Sequence, residues 1–217
     1  MKAADETGVR GELITFEGGE GSGKSTQARL LYDRLVAAGL DAVFVHEPGS
    51  TPVAEAIRPV LLKGGPGGIN PTTEALLFLA ARSDLWFRTI IPALNAGKIV
   101  ISDRSQDSTV VYQGICNEVN LTVIDLIYRL FAGDITPNRT YLLDIDPSVG
   151  IARSLSRIGN DETRFEEKGR SYHEKVRSAF LELARKNPER FLVLDGTLPI
   201  SELHDMIVSD VKSLGIG

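Results

Sequence analysis

The stretch FEGGEGSGKST, residues 16–26, constrains this chain more than any other part of it. Gly18, Gly19, Gly21 and Gly23 surround Glu20 and Ser22, and Lys24-Ser25-Thr26 follow. The spacing is G-x-x-x-x-G-K-[ST]. The apolar run Leu13-Ile14-Thr15-Phe16 precedes it and the helix-like QARLLYDRLVAAG follows. Glycines let the backbone curl with its N–H groups facing inward, and a helix N-terminus beneath adds positive partial charge. Residues 18–26 are therefore expected to cradle a nucleoside triphosphate. Lys24 would reach the β- and γ-phosphates and the Ser25 hydroxyl would ligate Mg²⁺. The motif names a ligand class, not a reaction.

A strand, a phosphate loop and a helix in that order demand an α/β fold, and the rest of the chain supplies one. Five short runs read as strands: Leu13–Phe16, Ala42–Val45, Ile99–Ile101, Tyr141–Leu143 and Phe191–Leu194. They are nearly continuously apolar, as strands buried on both faces are. Tyr172, Val176, Phe180 and Leu183 recur at helical spacing, as do Ile200, Leu203, Ile207, Val211 and Leu214. Strands alternating with helices imply a mostly parallel sheet with right-handed crossovers. KGGPGGINP (63–71) reads as a loop between helices, and residues 1–11 as a poorly ordered tail. The expectation is one domain over residues 1–217. Apolar residues make up 42% of the chain, and no run approaches the roughly 18–20 residues of a membrane span. The single cysteine, Cys116, leans towards a reducing, cytoplasmic setting. A net charge of −5 without a dense basic stretch argues against a long nucleic acid as partner.

Further chemistry clusters after the third strand. KIVISDRS ends an apolar run at Asp103, on the sheet edge where ligands of open α/β folds gather. Asp103 there would hold Mg²⁺ through water, and Arg104 would grip a second phosphate. In LLFLAARSD, Phe78 and Arg82 stand i,i+4 on one helix face. That pair suits a nucleobase clamp, although alone it is more often core packing beside a surface charge. Thr109 and Tyr112 follow at i,i+3 in DRSQDSTVVYQG. An N-K-x-D base-reading motif is missing, and the sole D-x-x-G, Asp5–Gly8, precedes the loop, which disfavours a switch GTPase.

Taken together, ITFEGGEGSGKSTQ, HEPGSTP, ALLFLAARSD, VISDRSQDSTVVYQG, TYLLDIDP and TRFEEKGRSYHEKVRSAF resemble bacterial thymidylate kinase over nearly the whole chain. The phosphate loop is shared with many families, whereas DRxxDST-x-x-YQG with E-P-G and Phe-x-x-x-Arg is far more specific. The resemblance implies a P-loop NTPase-type three-layer fold with a five-stranded parallel sheet and a mobile lid at about 153–167. It also implies a homodimer that transfers the ATP γ-phosphate to dTMP with Mg²⁺, for dTTP synthesis. On this sequence, Glu20 takes the place of the acidic residue near the acceptor 3′-hydroxyl and the metal. Arg104 would hold the acceptor phosphate. Phe78 would stack on thymine opposite Pro48 in the Glu47-Pro48 turn, with Arg82 at O4 and Thr109 at the N3 edge. Tyr112 would pack where a 2′-hydroxyl would sit, and Gln113 would line the same pocket.

Two subtypes of the family differ in where an arginine meets the transferring phosphoryl group. The loop position here is Ser22, so the resemblance implies the lid-arginine type, with Arg153, Arg157 and Arg164 in the lid region. Arg157 and Arg164 are the catalytic candidates, and Glu166 would help hold the metal or the lid. A solvated helix start with its arginines in water is the plainer alternative. Two departures from the family pattern stand out: His46 where arginine is usual, exchanging a permanent charge for a titrating one, and Asn138 where aspartate is common. Asn138 is read as structural, Trp86 as core or subunit interface, Cys116 as a small apolar residue, and His173 receives no role. The alternatives to a dTMP kinase are a kinase of another pyrimidine nucleotide such as dUMP, a non-catalytic nucleotide-binding regulator, or an ATP-hydrolysing motor module.

Overall fold

The computed structural model describes residues 11–64, 68–156 and 164–216. Five strands form one parallel sheet: β1 (Glu12–Glu17), β2 (Ala42–Val45), β3 (Ile99–Ser102), β4 (Arg139–Asp144) and β5 (Phe191–Asp195). Their spatial order is β2-β3-β1-β4-β5. Each apolar run of the sequence lies inside one of these strands. The central strands β1, β3 and β4 read as continuous because both of their faces are buried, whereas the edge strands β2 and β5 are covered only in part, with Val193 45% exposed. On β1, Ile14 and Phe16 face one side with Ile101 and Tyr141, while Leu13 faces the other with Val100.

Helices α1 (Lys24–Ala37) and α9 (Ile200–Ser213) cover the first face through Leu31, Leu203 and Ile207. The second face meets α3 (Pro71–Leu85), which runs on through a π-helical stretch, Trp86–Ile90, into α4 (Ile91–Asn95). Leu85, Trp86 and Ile90 pack there with Tyr128 and Phe131 of α6 (Leu121–Ala132). Trp86 is thus core, with its ring 5.5 Å from that of Tyr128. Farther along this face, Leu142 packs with Val176 and Phe180 of α8 (Arg170–Lys186). Helix α2 (Pro52–Lys63) follows β2, α5 (Gln106–Thr109) follows β3 and leads into a second π-helical stretch, Val110–Cys116, and α7 (Pro147–Leu155) follows β4. The result is the expected three-layer arrangement.

Strand order decides where a site can form. The connection from β1 leads to β2 on one side, and that from β3 leads to β4 on the other. Ligands of open α/β sheets bind where such connections part, beyond the carboxyl ends of the strands. The register Ile14↔Ile101 and Thr15↔Ser102 brings the end of β1 beside that of β3, so Gly18–Ser25 and Asp103–Arg104 share one edge. Asn138 holds the entry to β4: its Oδ1 accepts from the Leu13 amide at 2.7 Å, and its own amide donates back to the Leu13 carbonyl at 2.8 Å. An amide side chain accepts that bond as well as a carboxylate would, which bears out the structural reading of this position.

Candidate active site

Beyond β1 the loop turns through two left-handed glycines, Gly21 at φ 66° and Gly23 at φ 98°, before α1 begins at Lys24. A Cβ at Gly21 would come within 1.9 Å of the Gly150 carbonyl oxygen, so the turn needs glycine for space as well as for φ. Lys24 is 6% exposed and folds over the loop. Its Nζ donates to the carbonyls of Gly18 at 2.9 Å and Gly19 at 2.6 Å, and to Ser22 Oγ at 3.3 Å. Burial, with Arg104 adding like charge, lowers the Lys24 ammonium to about 8.

One cavity of about 750 Å³ runs from this loop to α3 and the segment after β3, within the size range of small-molecule sites. At its loop end, Ser25 Oγ donates to Asp103 Oδ2 at 2.7 Å, and the Glu47 amide donates to Asp103 Oδ1 at 3.0 Å. A hydroxyl beside a carboxylate is a hard-oxygen pair of the kind Mg²⁺ takes along with phosphate oxygens and waters. Among the described residues no three His, Cys, Asp or Glu side chains converge to hold a metal by themselves. Glu166 lines the cavity but does not join Asp103: its Oε1 accepts from Ser154 Oγ of α7 at 2.7 Å.

Midway along the cavity, Glu20 meets Arg104 at 3.3 Å and accepts from Tyr112 Oη at 2.8 Å. Burial pushes the Glu20 carboxyl upward. Arg104, Lys24 and the Tyr112 hydroxyl outweigh it, and Glu20 lies below its ordinary value. Arg104 also donates to Ser108 Oγ at 3.2 Å. A fixed carboxylate, a guanidinium and a phenol thus stand together between the loop and the far half.

That far half holds the remaining residues. Phe78 and Arg82 project from α3, and Pro48, Thr109, Tyr112 and Gln113 line the same space. Arg82, 2% exposed, is largely spent on the protein: Nε donates to Glu47 at 2.6 Å, Nη2 to the Ser105 carbonyl at 2.8 Å, and Nη1 to Thr109 Oγ1. Burial raises the Glu47 carboxyl, with Arg82 opposing it. His46 also lines the cavity, and its Nε2 stands 3.0 Å from Glu55.

Of the three arginines in the lid region, two fall within the described residues. Arg157 lies outside the described residues. Arg153 donates to the Gly196 carbonyl at 2.8 Å. Arg164 is turned away from the phosphate loop: Nη1 donates to the Leu61 carbonyl at 2.7 Å and Nη2 pairs with Glu74. A buried carboxylate and a helix-end carbonyl outcompete solvent for this guanidinium.

Sequence reasoning missed four contributors. Glu17, the last residue of β1 and fully buried, accepts from the amides and hydroxyls of both Ser105 and Ser108, at 2.7–3.1 Å. It pins the segment that carries Arg104 and Thr109. Burial and the nearby Asp107 raise Glu17 to about 7, against the hydroxyls of Ser108 and Ser105 and the charge of Arg104. Phe165 closes the cavity edge-on to Phe78 at 6.3 Å and to Tyr112 at 6.2 Å. Arg58 of α2 lines the cavity and donates to the Pro48 carbonyl at 2.8 Å. Glu74, 1% exposed, is the fourth. A charged residue directly after an apolar strand was the available signal for Glu17.

The sequence as a whole matches the family model described as thymidylate kinase over residues 16–207. The chain belongs to the thymidylate kinase family. Among curated relatives, thymidylate kinase of Ruegeria pomeroyi is 45% identical over 204 residues, 94% of each chain. That of Caulobacter vibrioides is 43% identical over 209 residues, covering 96% of this chain and 99% of its own. The crystal structure of thymidylate kinase from Ehrlichia chaffeensis matches with a TM-score of 0.74 at 30% identity, over 93% of this chain and 98% of that one. Family membership gives the reaction class, an ATP-dependent phosphoryl transfer.

Proposed function

We propose that the chain transfers the γ-phosphoryl group of ATP to dTMP, giving dTDP and ADP for dTTP synthesis. The observation that carries this reading is one continuous cavity, with a phosphate loop at one end, an aromatic and amide-lined pocket at the other, and Arg104 and Glu20 between. The loop amides and Lys24 bind the donor phosphates. Arg104 holds the acceptor phosphate, and Glu20 orients it and the sugar. Phe78 and Pro48 flank the base, Arg82 and Thr109 meet its polar edge, and Tyr112 occupies the space a 2′-hydroxyl would need. Ser25 and Asp103 would hold Mg²⁺, which would supply charge neutralisation at the donor phosphates, with Glu166 the further candidate on the lid side. Phosphoryl transfer asks the protein chiefly for position and positive charge. A lid arginine adds that charge, and the bonds of Arg164 to Glu74 and Leu61 make Arg157 the first choice. The chain works as a homodimer in the cytoplasm, in keeping with its single cysteine.

The test is ADP release from MgATP with dTMP, dUMP, the ribose form of TMP, dCMP and dGMP offered separately. The expected order is dTMP first, dUMP weaker by the one methyl, worth about 1–3 kcal/mol, and the ribose form weaker still. ATP binding without turnover on any acceptor would replace the kinase reading by a nucleotide-binding regulator.

A further inference from the structure

Glu74 lies on α3 one turn before Phe78, inside the protein, and no part of the phosphoryl-transfer chemistry calls for it. Its carboxylate is divided between two sets of donors. Oε1 accepts from Gln113 Nε2 at 2.9 Å and from Asn117 Nδ2 at 3.1 Å. Oε2 pairs with Arg164, which is anchored in turn on the Leu61 carbonyl. Glu74 is 1% exposed and Gln113 is 2% exposed, so neither side chain can exchange these partners for water.

The consequence concerns Gln113, which lines the acceptor end of the cavity beside Phe78 and Thr109. A primary amide carries two donors on nitrogen and an acceptor on oxygen, and rotation by half a turn exchanges them at almost no cost in shape. A carboxylate only accepts. Glu74 therefore requires the amide nitrogen of Gln113 and leaves its oxygen as the group presented to the cavity. An acceptor in that position pairs with a ring N–H. Thymine and uracil carry a hydrogen on N3, whereas cytosine carries a lone pair there.

We infer that Glu74 is a positioning residue for acceptor choice: by holding the Gln113 amide in one orientation, it makes the pocket read an N–H at base N3 and reject cytosine. This rests on the dTMP reading above and names the residue that sets its base preference. A buried acceptor facing a lone pair is left unpaired, the kind of mismatch that polar sites reject most strongly.

Glu74→Gln gives the inference a sign. Arg164 only donates, so the new amide turns its oxygen to Arg164 and its two N–H groups towards Gln113 and Asn117, whose own amide turns over as well. Gln113 then swings its own oxygen inward and offers its nitrogen, a donor, to the cavity. That face suits cytosine N3 and opposes thymine N3–H. With wild type as reference, the ratio of kcat/KM for dTMP over dCMP is expected to fall about tenfold to a hundredfold in E74Q, as one buried hydrogen bond changes partner. In Gln113→Leu the ratio also falls, and adding E74Q to it changes the ratio by no more than about twofold, because the residue through which Glu74 acts is gone. Thermal unfolding of each variant shows which are folded.

A folded E74Q with the wild-type ratio overturns the inference. So does an E74Q effect that persists undiminished in the Q113L background, which would place its action elsewhere. Q113L alone keeps the test open should E74Q fail to fold, since an unchanged ratio there is equally fatal. A wild-type protein without dTMP-dependent ADP release sinks the kinase reading itself, and the inference falls with it. That outcome is visible before any variant is measured.

Discussion

Lys24 shows how much one buried cation is worth and when it is lost. It is held at about 8 by burial and by the neighbouring Arg104, with Glu20 among the groups that oppose this. Donor phosphates bring negative charge to the ammonium and raise its pKa, so ATP binding favours the protonated form. Affinity should then be flat below about pH 8 and decline above it, approaching tenfold per pH unit until the bound-state pKa is reached. The check is the ATP dissociation constant from pH 6.5 to 9.5, in wild type and in Lys24→Arg, whose guanidinium does not titrate there. A wild-type affinity that stays level to the top of that range would remove Lys24 from the donor phosphates. This residue was legible in the sequence because a phosphate loop needs its glycines, lysine and serine consecutively. Glu17 and Glu74 were not, because the residues that give them meaning lie 88 and 39 positions away for Ser105 and Gln113. His173, read within a charged helical stretch, is buried at 4% for the same kind of reason.

At the scale of elements, the site depends on how α5 is fastened to the sheet. Glu17 reaches from β1 to the two serines, and Arg190, just before β5, grips Asp107 through two bonds of 2.7 and 2.8 Å. Because burial and Asp107 raise Glu17 to about 7, the folded protein holds a proton there that the unfolded chain, near 4.5, has released. The stabilisation is fully present below the unfolded value and is lost as pH rises through the folded one. Wild-type stability should therefore decline between about pH 4.5 and 7, and Glu17→Gln, which cannot ionise, should lack this component and gain on wild type as pH rises. Urea midpoints of both proteins at half-unit steps from pH 5 to 8 decide it, since other titrating groups cancel in the difference. Parallel curves would mean that Glu17 is ionised throughout. The strands behind this device were readable as unbroken apolar runs because both sheet faces are covered. The π-helical stretches and the closure by Phe165 were not, since a widened turn depends on what packs against it and Phe165 meets Phe78 only in the folded chain.

On the scale of the whole molecule, an apolar face on α6 stands open. On α6, Val123, Leu126 and Leu130 stand at i, i+3 and i+7, exposed by 48%, 61% and 76%, and Phe87 on the continuation of α3 is 61% exposed. The opposite sides of these helices are filled by Trp86, Tyr128 and Phe131, so the exposed side chains cannot turn inward. A contiguous apolar surface on adjoining helices is the signature of an interaction site, and a homodimer would cover it by placing two copies of the same patch together. Such a contact would also brace α3, which carries Phe78 and Arg82 into the acceptor pocket. Leu126→Glu with Leu130→Glu places two carboxylates in the centre of that face, and the pair should sediment as a folded monomer where wild type sediments as a dimer. Helix α1, which starts at Lys24, packs on the sheet face opposite α6, so ATP affinity should survive in the monomer. The KM for dTMP should rise, because α3 loses its outer support. A double variant that remains dimeric would put the interface elsewhere. A wild type that is monomeric at micromolar concentration would remove the homodimer from the proposal and leave this face for a different partner.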